Sequence, residues 1–389
     1  MNSQVEISSS IGQAAPVSTG LKVISAKTAD IYKKNLDGVT FYEAAIGKNW
    51  DLSKPTALDF VAVIERKFAR NNKYHGFFLP TSQHMAPKTL SEYIGQKIDF
   101  DEMVDAFVQN ACTVANEPGR GTLSLGHLVL VHYRTANDEI DTGRFLVVLV
   151  GKKGGYDFDA DLQPIDLTSI NTSDLRHAAM FDLTLFNETF PNNDGDAYLK
   201  FIAKNSKSDF FKEAFGCGDY VPNKNSVQQI NTAILDFLDD PAIPPQRRVQ
   251  IIEKVTTYLS NAAKSQKAVS IVQVGQIINN SLPVGSEKIG GFEKFVNLGS
   301  YTISELFQPT RPAAATLKSV DINDPAGIFK CSINIQAIGY SNSDEKPVIV
   351  DDDLKFITIP LTPQASTILK QILGEKIIIN EALPHQVVI

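Results

Sequence analysis

Leu128-Val-Leu-Val-His-Tyr-Arg134 and Phe145-Leu-Val-Val-Leu-Val150 are two short runs rich in leucine and valine, separated by the polar stretch from Thr135 to Arg144. Runs this short are strand-length, and β-branched side chains fit a pleated surface better than a helix. Neither run alternates apolar with polar residues, so each strand is predicted to be covered on both faces. The expectation is a hairpin at the centre of a sheet.

Working outward, Thr56 to Asn71 carries Phe60, Val61, Ile64 and Phe68 at helical spacing, with Arg66, Lys67, Arg70 and Lys73 assigned to its outer face. Asp99 to Asn116 repeats the pattern with Met103, Phe107, Ala111 and Val114, and stops before the breaker Pro118-Gly119. Both helices are expected to cover the sheet. Leu21 to Ser25 reads as a short first strand, Phe181 to Phe186 as an extended piece, Asn192 to Gly195 as a turn and Tyr198 to Ile202 as another strand. Ser208 to Phe215, closed by Gly216, reads as a helix whose Phe210, Phe211 and Phe215 belong to the core.

From Ser226 the period turns helical. Val227, Ile230, Ile234, Phe237 and Leu238 form one stripe, and Ile251, Ile252, Val255, Tyr258 and Leu259 form the next, started by Pro244-Pro245. Shorter helices are expected over Ile271 to Ile278 and Glu287 to Leu298. Later, Phe329, Cys331, Ile333, Ile335 and Ala337 alternate with Lys330, Ser332, Asn334 and Gln336, which predicts a strand with one wet face. Leu354 to Ile359 is its expected partner, and Gln364 to Leu373 a closing helix. The predicted fold class is α+β: an antiparallel or mixed sheet covered by helices, a helical middle section, and a C-terminal antiparallel strand pair with a closing helix. The predicted boundaries are a flexible polar leader over 1–20, an α+β domain over 21–220, the helical section over 221–308, the strand pair and helix over 309–374, and a tail over 375–389.

The chain has 389 residues, 43% hydrophobic and 21% charged, the profile of an ordinary globular protein. Cys112, Cys217 and Cys331 lie too far apart for a metal-ligand motif or a disulfide framework, which points to a reducing compartment. Met1 to Gly20 has neither a basic n-region nor an apolar stretch, and polar residues interrupt the charge-free segment Ala268 to Ser286. A cytoplasmic protein without a membrane span is therefore expected.

Few residues carry a catalytic signature. There is no phosphate-cradling glycine loop or dinucleotide fingerprint, and Gly121-Thr-Leu-Ser-Leu-Gly126 places its serine one residue late for a nucleophile elbow. His127 and His132 share one strand at an odd separation, which points them to opposite faces and away from a common metal. Asp157, Asp159 and Asp161 begin like a calcium loop, but Leu162 stands where the turn needs glycine and Thr168 where the bidentate glutamate belongs. Asp351-Asp-Asp353 lacks the matching Glu-x-Lys element of a metal-dependent nuclease, and nothing pairs Cys217 with His177 as a dyad. No catalytic residue, metal ligand or cofactor is assigned.

Basic clusters are more informative, because the net charge is −7. From Pro244 to Ser270, Arg247, Arg248, Lys254, Lys264 and Lys267 face Glu253 alone. A second run is Lys200, Lys204, Lys207 and Lys212, offset by Asp209 and Glu213, and a third is Lys152-Lys153 at a strand end. Cations concentrated on a few helices can neutralise phosphates while the remaining surface stays acidic, so these are the candidate nucleic-acid-binding residues.

Gly126-His-Leu-Val-Leu-Val-His-Tyr-Arg134 with the Phe145 to Val150 strand leads the resemblance, followed by Tyr198-Leu-Lys-Phe-Ile202 and Ser208-Asp-Phe-Phe-Lys-Glu-Ala-Phe-Gly216. With Phe292-Glu-Lys-Phe295, Ile328 to Ile338, Leu354 to Ile359 and Gln364 to Leu373, this order resembles bacterial nucleoid-associated proteins of the NdpA type, over most of Leu21 to Gly374. The resemblance implies a cytoplasmic, chromosome-associated protein without known enzymatic chemistry, and it supplies no site residues. Three classes of function are carried as expectations, the last and least favoured being a metal-dependent nuclease that uses Asp351 to Asp353. The first is direct contact with double-stranded DNA at low sequence specificity; the second is an interaction adaptor recruited by a partner such as a topoisomerase. A homodimer is expected because two-fold closed assembly is the commonest oligomer. The leader, the connection Asn137 to Asp141 and the tail beyond Glu375 depart from the family pattern and leave room for a specialised role, such as a component of a mobile-element or phage-defence locus.

Overall fold

The computed structural model describes residues 20–78, 83–123, 125–135, 142–158, 163–170, 175, 177–193, 196–203, 208–217, 223–299, 301–316, 318–324, 326–340, 346–351, 355–374 and 386–388. Residues 1–19 of the leader, the connection Asn137 to Asp141 and residues 375–385 of the tail lie outside this set. The chain divides into two compact units, Met1–Tyr220 and Val221–Ile389.

In the first unit, β1 (Leu21–Leu36) and β2 (Val39–Ile46) precede α1 (Pro55–Arg70), β3 (Tyr74–Gly76), α2 (Met85–Ile94) and α3 (Phe100–Ala115). The predicted hairpin follows as β4 (His127–Thr135) and β5 (Arg144–Val150), then a separate hairpin of β6 (Lys152–Phe158) and β7 (Pro164–Ile170). β8 (His177–Asp182), α4 (Leu183–Thr189), β9 (Leu199–Ala203) and α5 (Ser208–Phe215) complete the unit. Seven strands form one antiparallel sheet in the order β2-β1-β4-β5-β8-β9-β3, with β4 and β5 near its middle.

Pleating sorts the central residues by parity. Leu128, Leu130, Phe145 and Val147 join Leu90, Phe107, Phe186 and Phe211 of α2 to α5 in one core; Val129, Val131, Leu146 and Val148 join Val61, Ile64 and Phe68 of α1 in the other. The two predicted helices thus cover opposite faces of the sheet. α3 starts on a capping box: Asp99 Oδ1 accepts from Glu102 N–H at 2.9 Å, and Asp99 N–H donates to Glu102 Oε2 at 2.9 Å. Before β5, Gly143 sits at φ +104°, where an added Cβ would meet the Tyr133 carbonyl at 2.7 Å and His132 Nε2 at 2.8 Å.

Several expectations need correction. β1 runs on to Leu36, well past Ser25, because Asp37 and Gly38 both take positive φ (51° and 82°) in a tight turn that pairs Leu36 with Val39. The extended piece from Phe181 breaks at Asp182, whose carboxylate accepts from Leu185 N–H at 3.1 Å and caps α4. Lys73 lies beyond α1 and is buried, so it is no part of an outer face.

The second unit begins with α6 (Asn223–Leu238) and α7 (Pro245–Ser265), then β10 (Val269–Ser270), α8 (Ile271–Asn279), α9 (Phe292–Leu298), β11 (Leu306–Phe307) and α10 (Arg311–Thr316). α9 starts at Phe292 rather than Glu287, after a turn in which Gly290 takes φ +77°. Val227, Ile234, Ile251, Val255, Val274 and Phe292 make its core. β12 (Ser319–Asn323) and β13 (Lys330–Asn334) form the C-terminal antiparallel strand pair, so the alternating strand pairs with 319–323 and not with Leu354 to Ile359. The Asp324–Phe329 turn brings these neighbours together, with Gly327 N–H donating to Asp324 O at 2.9 Å. The alternation stops at Asn334, whose side chain accepts from Gln336 N–H at 3.0 Å and opens a 3-10 turn over Ile335–Ala337. β14 (Ile338–Tyr340), β15 (Val348–Val350), β16 (Ile357–Pro360), α11 (Pro363–Leu373) and β17 (Gln386–Val388) follow, with β16 pairing β15 and β17.

Phe145 is fully buried against Phe107 and Phe181, so Phe145→Ala lowers the stability of the first unit by about 3–5 kcal/mol. The lone tryptophan, Trp50, packs edge-on against Phe60 in this unit, so its fluorescence during urea unfolding reads the effect; a loss under about 1 kcal/mol contradicts the doubly covered hairpin.

Candidate nucleic-acid interface

α7 carries most of the predicted basic excess, and its buried stripe of Ile251, Val255, Leu259 and Ala262 leaves Arg247, Lys254 and Lys264 on its exposed side. At 3.6 residues per turn, Arg247 and Lys254 are two turns apart on one edge, and Lys264 lies about 100° further round. The structure therefore does not gather the five cations into a single row. Arg247 is exposed and donates to Gln250 Oε1 at 3.2 Å within its own helix. Lys254 is exposed and donates to Ser281 Oγ at 3.1 Å. Lys264 is exposed, as is Lys267, which follows the left-handed Gln266 that ends the helix.

Arg248 has a different task. Its Nε donates to Ile243 O at 3.0 Å and its Nη2 to Asp240 O at 2.7 Å, with Asp239 Oδ1 3.4 Å from Nη1. The guanidinium clasps the turn that leads into α7, and those donors are not available to a phosphate. Two cations not singled out in the sequence, Arg311 on α10 and Lys318 before β12, join Lys264 around one hollow of about 310 Å3.

The second basic run divides. Lys204 and Lys207 lie outside the described residues, and Lys212 packs over the Tyr74 and Phe201 rings at 5.4 and 5.9 Å. Lys200 is half-buried on β9 opposite His75 of β3, in a mixed-charge cluster with Lys73, Glu65, Arg144 and Asp182. Burial, then the charge of Lys200, pulls Lys73 down to about 7 against the opposing pull of Glu65. The Lys73 ammonium donates to Ala69 O at 3.0 Å and Asn71 O at 2.9 Å, closing the end of α1. Burial likewise lowers Lys200 and raises Glu65. Lys152 and Lys153 occupy the start of β6, and their side chains lie outside the described set.

The remaining sequence candidates are engaged as follows. His132 Nε2–H donates to Thr142 O at 2.9 Å, and its Nδ1 accepts from the Tyr93 hydroxyl at 2.7 Å. His127 lies 3.2 Å from Asp30. Asp157 and Thr168 belong to the β6–β7 hairpin, while Asp159, Asp161, Leu162, Asp352 and Asp353 lie outside the described residues. Asp351 Oδ1 accepts from Lys355 and Phe356 N–H at 2.7 Å, a turn-forming role. Among the described residues no three His, Cys, Asp or Glu side chains group as metal ligands, and no helix is long and apolar enough to cross a membrane.

A sequence model of the family described as nucleoid-associated protein YejK matches residues 31–360. That span includes the central sheet apart from the first ten residues of β1, the helical core and the C-terminal strand pair, so the class is that of nucleoid-associated proteins. The chain belongs to the YejK family. A nucleoid-associated protein of Pseudomonas putida strain GB-1 is 22% identical over 219 residues, 55% of this chain and 63% of its own length. One from Pseudomonas syringae pv. tomato strain DC3000 is 23% identical over 220 residues, with the same coverage. The chain thus spans under two thirds of the length of these relatives.

Two outcomes follow. Arg248→Ala removes the clasp and costs the second unit about 1–3 kcal/mol, whereas Arg247→Ala stays within about 0.5 kcal/mol, read by far-UV circular dichroism during urea unfolding; equal losses contradict the division of labour. Lys73 takes up its proton more readily unfolded (near 10.5) than folded (about 7), so the unfolded state binds more protons between these values and stability rises with pH across them. Unfolding followed by Trp50 from about pH 7 to about pH 9.5, below the ordinary tyrosine range, shows this rise, and Lys73→Met flattens it; an unchanged pH slope in the variant contradicts the assignment.

Proposed function

We propose that this protein is a non-enzymatic, nucleoid-located DNA-binding protein that contacts the duplex backbone with little base specificity through the exposed cations of its second unit. The observation that carries this is the state of Arg247, Lys254, Lys264 and Lys267: among the described residues each is exposed and none is paired with a carboxylate. An acidic chain repels DNA over most of its surface, so a local group of unneutralised cations selects where the duplex approaches. Membership of a nucleoid-associated family supports the same role. Ammonium and guanidinium groups on a helix face meet phosphates without reading base edges, which gives affinity with little specificity.

One feature favours an adaptor as the second reading. α11 has no buried residue and exposes Ile368, Ile372 and Leu373, with Phe356 exposed nearby in sequence, an apolar surface of the kind that protein partners cover.

Fluorescence anisotropy of a labelled duplex of arbitrary sequence, titrated at several salt concentrations, separates the two. Direct backbone contact by four cations gives a slope of log affinity against log salt of about −3.6 or steeper, which becomes shallower when Arg247, Lys254, Lys264 and Lys267 are replaced by alanine. Absence of binding at low salt, or a slope the replacements do not alter, rejects direct contact through this face.

A further inference from the structure

The hollow beside α7 is lined by Ser260, Ala263, Lys264, Arg311, Ala314 and Lys318. Among the described residues its charged lining consists of three cations and no carboxylate. Among the described residues none of the three is ion-paired. Like charges gathered around one concavity repel each other, and an anion placed between them relieves that repulsion. Ser260 supplies the second observation. It is 9% exposed, one helical turn before Lys264, and its buried Oγ has no hydrogen-bond partner. A buried hydroxyl left unbonded is costly, and a turn of its χ1 toward the hollow gives it an anionic oxygen there as acceptor. A volume of about 310 Å3 is several times the roughly 30 Å3 share of one water, room for a phosphate group and its hydration.

A second hollow of about 230 Å3 shares Ser260, Lys264 and Lys318 and continues past Thr257 and Asn261 of α7 to Asn334 and Gln336. It offers neutral donors and acceptors suited to a sugar or to the next group of the same molecule. The one acid among its described lining residues, Glu253, lies eleven residues before Lys264, roughly 16 Å along the helix, and so leaves the cationic end to an anion.

We propose that the Lys264–Arg311–Lys318 hollow is a phosphate seat, in which the three cations hold the anionic oxygens and Ser260 Oγ–H, once turned toward the hollow, donates to one of them. The ligand is a phosphate ester, supplied either by a DNA backbone or by a free nucleotide. In its duplex form the proposal rests on the DNA-contact reading above and names where one or two phosphates sit; in its nucleotide form it stands apart from that reading.

The test uses the full chain, Arg311→Ala/Lys318→Ala and Ser260→Ala, with circular dichroism melting to show that the variants keep the fold. Duplex binding is measured by anisotropy across salt, and ADP binding by calorimetry. If DNA fills the seat, the double variant makes the salt slope shallower by about 1.8, two phosphate contacts at about 0.9 each, while Ser260→Ala weakens binding a few-fold without changing the slope. If a nucleotide fills it, ADP binds the unaltered chain and binds the double variant at least tenfold more weakly, with duplex affinity unmoved. Duplex binding whose slope the double variant does not change, together with no ADP response, overturns the seat and leaves the DNA reading standing. ADP binding lost in the double variant without any duplex binding overturns the DNA reading and keeps the seat. Failure of both ligands to bind the unaltered chain overturns both.

Discussion

Burial of β4 and β5 on both faces is the constraint on which the first unit depends. A strand pair with apolar side chains up and down cannot be left with one face in water, so the chain must supply a helix layer on each side. α3 and α5 cover one face and α1 the other, and each contributes aromatic or branched residues in register with the pleat. Among the polar groups admitted to this setting, His132 is held at both ring nitrogens and Arg144 lies 3.6 Å from Asp182, while Arg134 of β4 keeps a buried Nε with no hydrogen-bond partner among the described residues. His132 and Arg144 are thereby committed to holding the sheet together.

Much of this was legible because periodicity reports burial. The central hairpin, α1, α3 and α5 declare themselves through spacing alone, and Asp99 announces the start of α3 chemically. The misreadings are local and have identifiable causes. The long β1–β2 ribbon was missed although Asp37-Gly38, a dipeptide suited to a tight hairpin turn, marks it and Val39-Thr-Phe-Tyr42 is β-branched and aromatic throughout; only Tyr32-Lys-Lys-Asn35, with lysine and asparagine on an exposed ribbon end, obscures the pattern. Phe181 to Phe186 reads as one strand until Asp182 is recognised as a cap. The partner of β13 was legible and was passed over: Ser319-Val-Asp-Ile-Asn323 alternates polar with apolar residues as β13 does, and it lies one short turn at Asp324 away, nearer than Leu354 to Ile359.

The candidate interface was legible in part, for a different reason. A surplus of basic residues is visible in a linear chain, but what each one does depends on carbonyls and carboxylates brought up by folding. Arg247 and Arg248 are adjacent and chemically identical, yet one is exposed to solvent and the other clasps the turn before α7. Lys200 stands in a basic run, yet the sheet draws it into a half-buried mixed-charge cluster. Arg311 and Lys318 belong to no basic run, and only the packing of α10 and the 3-10 turn against α7 brings them to Lys264. The two units thus divide the work by electrostatics: the first spends its buried charges on structure, and the second keeps several unneutralised cations at its surface.

Lysine-acetylation footprinting by mass spectrometry, with and without duplex DNA at low salt, tests the central claim most directly. Contact through the second unit predicts that Lys254, Lys264 and Lys267 lose reactivity when DNA is added, while Lys88 and Lys97, exposed on the first unit, keep theirs. Protection confined to the first-unit lysines, or unchanged reactivity across α7 under conditions where the duplex is bound, contradicts it.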